Sequence, residues 1–374
     1  MNFKNAWIYT EQFRFEHGGF SVENGRFCNV LGESAADAVD LGGAYVIPGL
    51  IDVHTHGNSG ADFSDGKLAG VEAMAQYLAR NGVTSFAPAS MTLPYETLEK
   101  AFSTARAYAD NRPADGAALR GIQMEGPFFS EKKKGAQNGA YLRTPDFEAF
   151  KKLFDGCGGL VRIVDVAPEL EGSVDFIRKA KELCTVSIAH TDADYDAARA
   201  GIAAGVTHLT HLYNAMPAIH HRKPGVIAAA AEAETVSAEL ISDGQHVHPA
   251  SVRLAFRIFG AARMVLISDS LRCCGMPDGE YELGGQQVFL RDGIARLADG
   301  TIAGSATNLF ECMRRAVSFG IPREDAIRAA TYNPARQICC LREVGSIADG
   351  KIADFVLCDA QLNRKAVYLA GNKL

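Results

Sequence analysis

The chain has no long run of charge of one sign. Its 374 residues include 38 Lys or Arg and 44 Asp or Glu, which gives a formal net charge of -6. The longest cationic run is Lys132 to Lys134, which we interpret as the solvated face of a loop. A basic surface of the kind that binds nucleic acid is therefore not expected.

Long apolar runs are missing as well. No stretch approaches the roughly 20 apolar residues that a membrane-spanning helix needs. The first residues, Met1 to Ala6, lack the apolar segment of a secretion signal. With 47% hydrophobic and 22% charged residues, the composition is that of an ordinary globular protein with a large core. We expect no membrane partner and a cytoplasmic location.

The cysteines offer no disulfide framework or zinc knuckle. There are nine, an odd number, and none are spaced as C-x-x-C. Two pairs are neighbours, Cys273-Cys274 and Cys339-Cys340. We interpret the cysteines as reduced thiols, and Cys273-Cys274 as packing residues, because no base is placed beside them as a nucleophilic cysteine would require.

What the sequence does contain is a regular alternation of short β-branched runs and longer amphipathic segments. Eight predicted strands alternate with helical patterns, which predicts an α/β fold with a parallel, TIM-like (β/α)₈ barrel. The strands are predicted at 44–54, 84–90, 119–125, 161–168, 185–190, 207–211, 235–243 and 264–269. The clearest helices are predicted at 71–80, 95–109, 174–183 and 193–204, and turn-rich residues 279–300 indicate hairpins before a helix that starts near Thr307.

Both ends of the chain show a different pattern, with short strands broken by Gly, Asn and Asp turns. We expect them to pair into one small β-sandwich domain. The predicted division is therefore 1–47 and 344–374 for the two parts of this β domain, and 48–343 for the barrel. No internal repeat is evident.

The first predicted barrel strand ends in two histidines, His54 and His56. On a strand, residues two apart point to the same face, so both imidazoles could hold one metal ion. Histidines with this spacing also occur at ordinary strand ends, where they simply meet solvent. The pair alone leaves both interpretations open.

Other predicted strands also end on polar groups. Because the C-terminal ends of barrel strands form the active-site face, these groups are expected to converge there. Singly, His190 could be a core histidine and Asp269 a helix cap. Together the set matches a mononuclear or dinuclear hydrolytic site of the zinc type, with one carboxylate able to bridge and another free to move protons. The set consists of His54, His56, Glu125, His190, His211 and Asp269.

The polar strand ends belong to longer segments, which are Met124–Phe128, Ala167–Glu169, Ile188–Thr191, Thr207–Met216, Ser242–His246 and Ser268–Asp269. In this chain order, the segments resemble the N-acetylglucosamine-6-phosphate deacetylases of the amidohydrolase superfamily. The likeness covers nearly the whole chain, and the Glu-Gly-Pro-Phe and His-Leu-Tyr-Asn-Ala-Met blocks are its most specific parts.

This resemblance implies a primary metal site made by Glu125, His190 and His211. It implies Asp269 as the general base that later acts as general acid. Members that keep His-x-His on the first strand, here His54 and His56, can hold a second ion with Glu125 bridging, and members that replace those histidines use one metal. We expect one or two divalent ions in each subunit, zinc first, with iron, manganese or cobalt also compatible with these ligands.

For the substrate's far end, the resemblance implies that Asn214 and Ala215 contact the sugar phosphate. Arg222 matches an arginine that reaches the phosphate in the neighbouring subunit's site, which implies a homodimer, and His246 matches a substrate-contacting histidine. At Gln137 the chain departs from the family, because many members have a histidine there that donates near the acetyl carbonyl. An amide can donate a hydrogen bond but cannot be cationic.

The expected function is hydrolysis of the acetamide of N-acetylglucosamine 6-phosphate to glucosamine 6-phosphate and acetate, in amino-sugar catabolism. One alternative is an amidohydrolase acting on N-acetylgalactosamine 6-phosphate or on another N-acyl or cyclic amide. A non-enzyme alternative is a catalytically dead barrel that binds a sugar phosphate. The retained Asp269 argues against this alternative, because binding needs no proton shuttle.

Overall fold

The computed structural model describes residues 1–33 and 35–374 of the chain. In chain order its strands are β1 (Asn2–Tyr9), β2 (Phe15–Glu23), β3 (Arg26–Cys28), β4 (Val39–Pro48), β5 (Leu50–Thr55), β6 (Gly57–Asn58), β7 (Ala61–Asp62), β8 (Val83–Pro88), β9 (Ala118–Leu119), β10 (Ile122–Met124), β11 (Val161–Val166), β12 (Thr185–Ile188), β13 (His208–Leu209), β14 (Ser237–Ile241), β15 (Met264–Ile267), β16 (Gly279–Leu283), β17 (Gln286–Arg291), β18 (Ile294–Leu297), β19 (Ile302–Ser305), β20 (Phe355–Cys358), β21 (Arg364–Leu369) and β22 (Asn372–Lys373). Its α-helices are α1 (Leu68–Arg80), α2 (Tyr95–Asp110), α3 (Phe147–Gly156), α4 (Ser173–Ala180), α5 (Tyr195–Ala204), α6 (Gly225–Glu232), α7 (Pro249–Phe259), α8 (Leu309–Ser318), α9 (Arg323–Ala330) and α10 (Tyr332–Gln337).

The middle of the chain forms two parallel sheets, one with the order β5-β8-β9 and one running from β10 to β15. They meet on both sides. Ala89 forms a parallel bridge with Gln123, and the Asp269 N–H donates to the His54 carbonyl over 2.9 Å. Every residue of β5, β8, β14 and β15 is buried, as expected for strands that are covered on both faces. The result is a curled parallel α/β sheet whose strand ends share one edge.

Each of the eight predicted strands overlaps an observed one, and the four named helices match α1, α2, α4 and α5 to within three residues at each end. The start of α5 is set by a cap. The Asp194 side chain accepts a hydrogen bond from the Ala197 N–H, so the helix begins at Tyr195 rather than at the predicted 193.

The first predicted strand, 44–54, is wrong as a single element. The structure divides it into β4 and β5, and β4 pairs with β1 and β20 at the chain ends instead of with barrel strands. The division has a local cause. Pro48 lacks an N–H to continue a ladder, and a Cβ on Gly49 would lie 2.1 Å from Thr84 Oγ1. The backbone can therefore pass closely over β8 only at a glycine.

Both chain ends contribute to one seven-stranded sheet with the order β22-β21-β20-β4-β1-β2-β3. The Phe27 N–H donates to the Lys351 carbonyl over 2.8 Å, which brings β3 back to the segment before β20. Aromatic residues of this sheet pack together in a hydrophobic core. Phe355 stacks on Tyr368 with ring centroids 4.3 Å apart, and Phe3 packs edge-on against Phe355. The expected pairing of the two ends is thus observed.

The predicted hairpins at 279–300 form a four-stranded antiparallel sheet, β16 to β19, which extends to Ser305. This hairpin sheet is attached to the end of β15, because the Ser305 N–H donates to the Asp269 carbonyl over 2.7 Å. The next helix, α8, starts two residues after Thr307, capped by the Asn308 side chain.

Within residues 1–33 and 35–374, no helix has the length and apolar character needed to cross a membrane.

Candidate active site

Four polar residues lie within two residues of the C-terminal ends of parallel strands. Glu125 comes right after β10, and His190 and His211 lie two residues beyond β12 and β13. Asp269 lies two residues beyond β15, while His54 is still within β5. Because these strands are parallel, their ends place the side chains at one edge of the curled sheet.

Glu125, His190 and His211 form the first group, and their donor atoms converge closely. Glu125 Oε1 lies 3.3 Å from His190 Nε2 and 3.2 Å from His211 Nε2, and the two Nε2 atoms are 3.1 Å apart. All three side chains are buried. One carboxylate and two imidazoles at such distances are able to hold a divalent metal ion.

His54, His56 and Glu125 form a second group that shares the same carboxylate. His54 Nε2 lies 3.4 Å from Glu125 Oε1, and His56 Nε2 lies 3.4 Å from Glu125 Oε2. Asp269 Oδ1 faces both histidines, at 3.3 Å from His56 Nε2 and 3.7 Å from His54 Nε2. Glu125 is thus placed between two sets of imidazoles.

The histidines also set the charge of the two carboxyl groups. Burial alone would raise the pKa of Glu125, but the nearby His54 and hydrogen bonds with His190 and His211 hold it well below its ordinary range. Burial likewise raises the pKa of Asp269, and His54 and His56 outweigh that effect and lower it. Both groups are therefore carboxylates at neutral pH, and Asp269 is able to accept a proton.

An unpaired buried nitrogen supports the interpretation of these groups as a metal site. Among the described residues, His54 Nε2, which faces Glu125 Oε1, has no hydrogen-bond partner. A buried polar atom without a partner is costly and uncommon. His190 is oriented differently, because its Nδ1 lies 2.9 Å from the Lys133 carbonyl, which leaves Nε2 facing Glu125. Donor type and orientation together fit a divalent cation.

Three of these residues have left-handed backbone conformations. The φ angles are 43° at His190, 31° at His211 and 48° at Asp269. A non-glycine residue held in this region costs on the order of 1–3 kcal/mol, and such strain concentrates at functional sites. The surrounding structure therefore holds these side chains in place against their local backbone preference.

The residues around Glu125 are also closely fixed. Gly126 has a φ of 90°, and a Cβ there would lie 2.2 Å from Thr92 Oγ1. Gln137 Nε2 donates to Glu125 Oε2 over 2.6 Å, and its Oε1 accepts from the Thr92 N–H over 2.7 Å. The glutamine that replaces the expected histidine thus holds the oxygen of Glu125 that faces His56.

A cavity of about 190 Å³ opens beside both groups. Nine of the eleven predicted site residues line it, and His54 lies behind them with no exposed surface. The nine are His56, Glu125, Gln137, His190, His211, Asn214, Ala215, His246 and Asp269. His246 is oriented by Asp243, whose Oδ2 lies 2.7 Å from His246 Nδ1.

Arg222 is the predicted site residue that lies away from this cavity. It lies in the exposed loop before α6, where its Nη1 is 2.6 Å from His221 Nε2. Within one chain, the structure therefore does not bring Arg222 to the other predicted substrate contacts.

Sequence reasoning missed two contributions to the site. Glu239, in the middle of β14, bonds His54 Nδ1 over 2.9 Å and His208 Nε2 over 3.0 Å. Burial raises the pKa of Glu239, but these histidines outweigh it and bring the pKa well below its usual range. The sequence signal for Glu239 was a single charged residue in the interior of a predicted strand. The second contribution is the hairpin sheet, because residues 301–304 line the cavity.

Comparison with known proteins places this site in a family. Residues 45–373 match the Amidohydrolase family. The chain belongs to the amidohydrolase family. This amidohydrolase is 36% identical over 378 residues to the N-acetylglucosamine-6-phosphate deacetylase of Bacillus subtilis (strain 168), a match that covers 99% of this chain and 96% of that protein. It is 34% identical over 326 residues to the N-acetylgalactosamine-6-phosphate deacetylase of Escherichia coli O157:H7, covering 87% of this chain and 86% of that one.

A solved structure agrees with these relatives. A mutant N-acetyl-D-glucosamine-6-phosphate deacetylase from Mycobacterium smegmatis, in complex with N-acetyl-D-glucosamine-6-phosphate, superposes on this amidohydrolase with a TM-score of 0.91. The sequence identity is 32%, and the match covers 100% of this chain and 98% of that one. The predicted resemblance to this group of amidohydrolases is confirmed.

Proposed function

We propose that this amidohydrolase hydrolyses the acetamide of N-acetylglucosamine 6-phosphate to glucosamine 6-phosphate and acetate. The observation that carries the proposal is the convergence of Glu125, His190, His211 and Asp269 on one cavity. The full-length similarity to N-acetylglucosamine-6-phosphate deacetylases supports the choice of substrate.

Asp269 carries the proton in this reaction. As a carboxylate it accepts a proton from the attacking water, and the same oxygen then donates that proton to the leaving nitrogen. The amine cannot leave unprotonated, so one group must perform both steps. Asp269 lies beside the second group, with its Oδ1 3.3 Å from His56 Nε2.

Glu125, His190 and His211 would hold the catalytic metal ion. A divalent cation there lowers the pKa of a coordinated water and polarises the acetyl carbonyl. His54 and His56 would complete a second site with Glu125 as the shared ligand. Imidazole and carboxylate accept zinc, iron, manganese or cobalt, and zinc is our first choice.

The other end of the substrate is assigned to Asn214, Ala215, His246 and Gln137, which line the cavity beside the metal groups. Arg222 is exposed and outside the cavity, so we assign it to the phosphate in the site of a second subunit. A guanidinium suits a phosphate because it donates paired hydrogen bonds. This assignment requires a homodimer.

The wider architecture follows the same proposal. The two parallel sheets would form one (β/α)₈ barrel over residues 48–343, and residues 1–47 with 344–374 would form the small β-sandwich domain. A cytoplasmic location suits an enzyme of phosphosugar catabolism.

The decisive experiment is acetate release by zinc-reconstituted protein. We expect turnover of N-acetylglucosamine 6-phosphate, weaker turnover of its galacto epimer, and little turnover of unphosphorylated N-acetylglucosamine. The epimer is the second candidate substrate, because one relative is an N-acetylgalactosamine-6-phosphate deacetylase. Equal rates with and without phosphate would overturn the role of Arg222, and substrate binding without acetate release would favour a catalytically dead barrel.

A further inference from the structure

Glu239 is a fully buried carboxylate that receives three hydrogen bonds. It lies in β14, and its side chain has no exposed surface. Its Oε2 is 2.9 Å from His54 Nδ1 and accepts from the His211 N–H over 3.2 Å. Its Oε1 is 3.0 Å from His208 Nε2. None of these bonds reaches the cavity, so Glu239 does not contact a substrate.

The bond to His54 decides which of its nitrogens is available. A carboxylate only accepts hydrogen bonds, so His54 Nδ1 carries the hydrogen, and Nε2 is the nitrogen left to give a lone pair to a metal ion. That Nε2 faces Glu125 Oε1 at 3.4 Å and has no hydrogen-bond partner among the described residues. Histidines that bind metals usually donate their other ring N–H to such an acceptor, which fixes the ring for the metal.

Glu239 bonds the imidazole ring of a histidine in only one of the two groups, the group of His54, His56 and Glu125. In the first group, His190 is oriented by the Lys133 carbonyl, and the His211 ring receives no bond from Glu239. In the second group, His54 is held by Glu239, whereas His56 Nδ1 has no partner in the described part of the chain. His54 is therefore the one histidine of its pair that is oriented in advance.

From this arrangement we infer that Glu239 is a positioning residue for a second metal ion. By holding His54, it sets the affinity of the group formed by His54, His56 and Glu125, while the group of Glu125, His190 and His211 keeps its ion without it. The inference deepens the proposed function, since it rests on the metal site proposed there.

The test is zinc stoichiometry, measured by mass spectrometry after dialysis of the full-length protein against graded free zinc. We expect two ions per wild-type chain. In Glu239→Ala the second ion should bind about 10- to 100-fold more weakly, while the first ion keeps its affinity. His54→Gln is the benchmark for loss of the second ion.

The matched control is His208→Asn. It removes the other histidine partner of Glu239 but leaves the bond to His54, so both ions should bind as in the wild type. If the alanine variant does not fold, Glu239→Gln replaces it, because the amide keeps the size of the side chain. A neutral amide is a weaker acceptor, so a smaller loss of the same ion is expected.

Three results would overturn the inference. They are a single ion in the wild-type protein, two ions of unchanged affinity in a folded Glu239 variant, or equal loss of both ions. The proposed function fails on a different result, the lack of acetate release. A protein with the expected zinc counts and no deacetylase activity would leave the role of Glu239 standing.

Discussion

The residues assigned to the chemistry and the residue assigned to the phosphate differ in how the chain supports them. Glu125, His190 and His211 are buried and linked to one another at 3.1 to 3.3 Å. Arg222 is exposed in a loop, beside its neighbour His221. The residues assigned to the chemistry are thus brought together within one chain, whereas Arg222 lies outside their cavity. Catalysis should therefore depend on local geometry, and phosphate recognition on assembly.

The largest expected effect lies at the chemical centre. Replacing Asp269 by Asn removes the proton carrier and should lower kcat by about 10²- to 10⁴-fold, with KM little changed. Acetate release measures the loss. Asp175→Asn, at an exposed position of α4, makes the same chemical change far from the site and should be neutral. Comparable activity of the two variants would remove Asp269 from its role.

Metal removal should lower both the activity and the stability of the protein. Ions that bind only the folded chain stabilise it by about 2.7 kcal/mol at a free concentration of 100 times Kd. Chelation should therefore abolish acetate release and lower the free energy of unfolding by about that amount. Denaturant titration with and without a chelator measures the change. Unfolding curves that do not move would argue against metal ions bound by these side chains.

Arg222→Ala should impair phosphate recognition and leave the chemical step nearly unchanged. Loss of a charged hydrogen bond to phosphate costs roughly 1.5–3 kcal/mol, so KM for the phosphorylated substrate should rise by about 10- to 100-fold with kcat nearly kept. Steady-state kinetics on both sugars measures the split. Lys223→Ala is the neighbouring control. An equal loss on unphosphorylated sugar would show that Arg222 does not act through phosphate.

If Arg222 acts from a second subunit, mixing gives a sharper test. An Arg222→Ala chain and an Asp269→Asn chain each lack one function, so a mixed dimer contains one site with both residues intact. We expect partial recovery of activity at low substrate concentration after the two chains are exchanged. No recovery in a dimer shown to be mixed would place Arg222 in the site of its own chain.

The smallest effect is expected at Gln137. Its amide donates to Glu125 over 2.6 Å, and Gln137→His replaces this donor by the histidine that the resemblance implies at this position. We expect a change of only a few-fold in kcat/KM, because imidazole can donate as well. Kinetics on the gluco and galacto substrates measures it. A change above 100-fold would assign Gln137 a larger role.

Much of the site could be predicted because it depends on chain order. Polar residues that follow apolar runs come together once the strands are parallel. On this basis Glu125, His190, His211 and Asp269 were predicted to lie together, and all four line one cavity. The break between β4 and β5 was harder to foresee. Pro48 and Gly49 were visible in the sequence, but their effect depends on the approach to Thr84, which is distant along the chain.

Glu239 was missed for a similar reason. A single charged residue in a buried strand signals a partner, but only the fold brings His54 and His208 to it from two other strands. The lining by residues 301–304 depends on how the hairpin sheet attaches to β15. For Arg222 the sequence suggested a role that the structure of one chain cannot display. Its assigned partner is the substrate phosphate in the site of a second subunit.

Glu125 belongs to both metal-binding groups, with Oε1 near His54, His190 and His211 and Oε2 near His56. Two ions that share one carboxylate do not bind independently. Whatever coupling free energy the first ion exerts on the second, the second exerts equally on the first. The affinity of one group would therefore depend on whether the other is occupied, and a change in cellular metal supply would alter the occupancy of both groups through this one side chain.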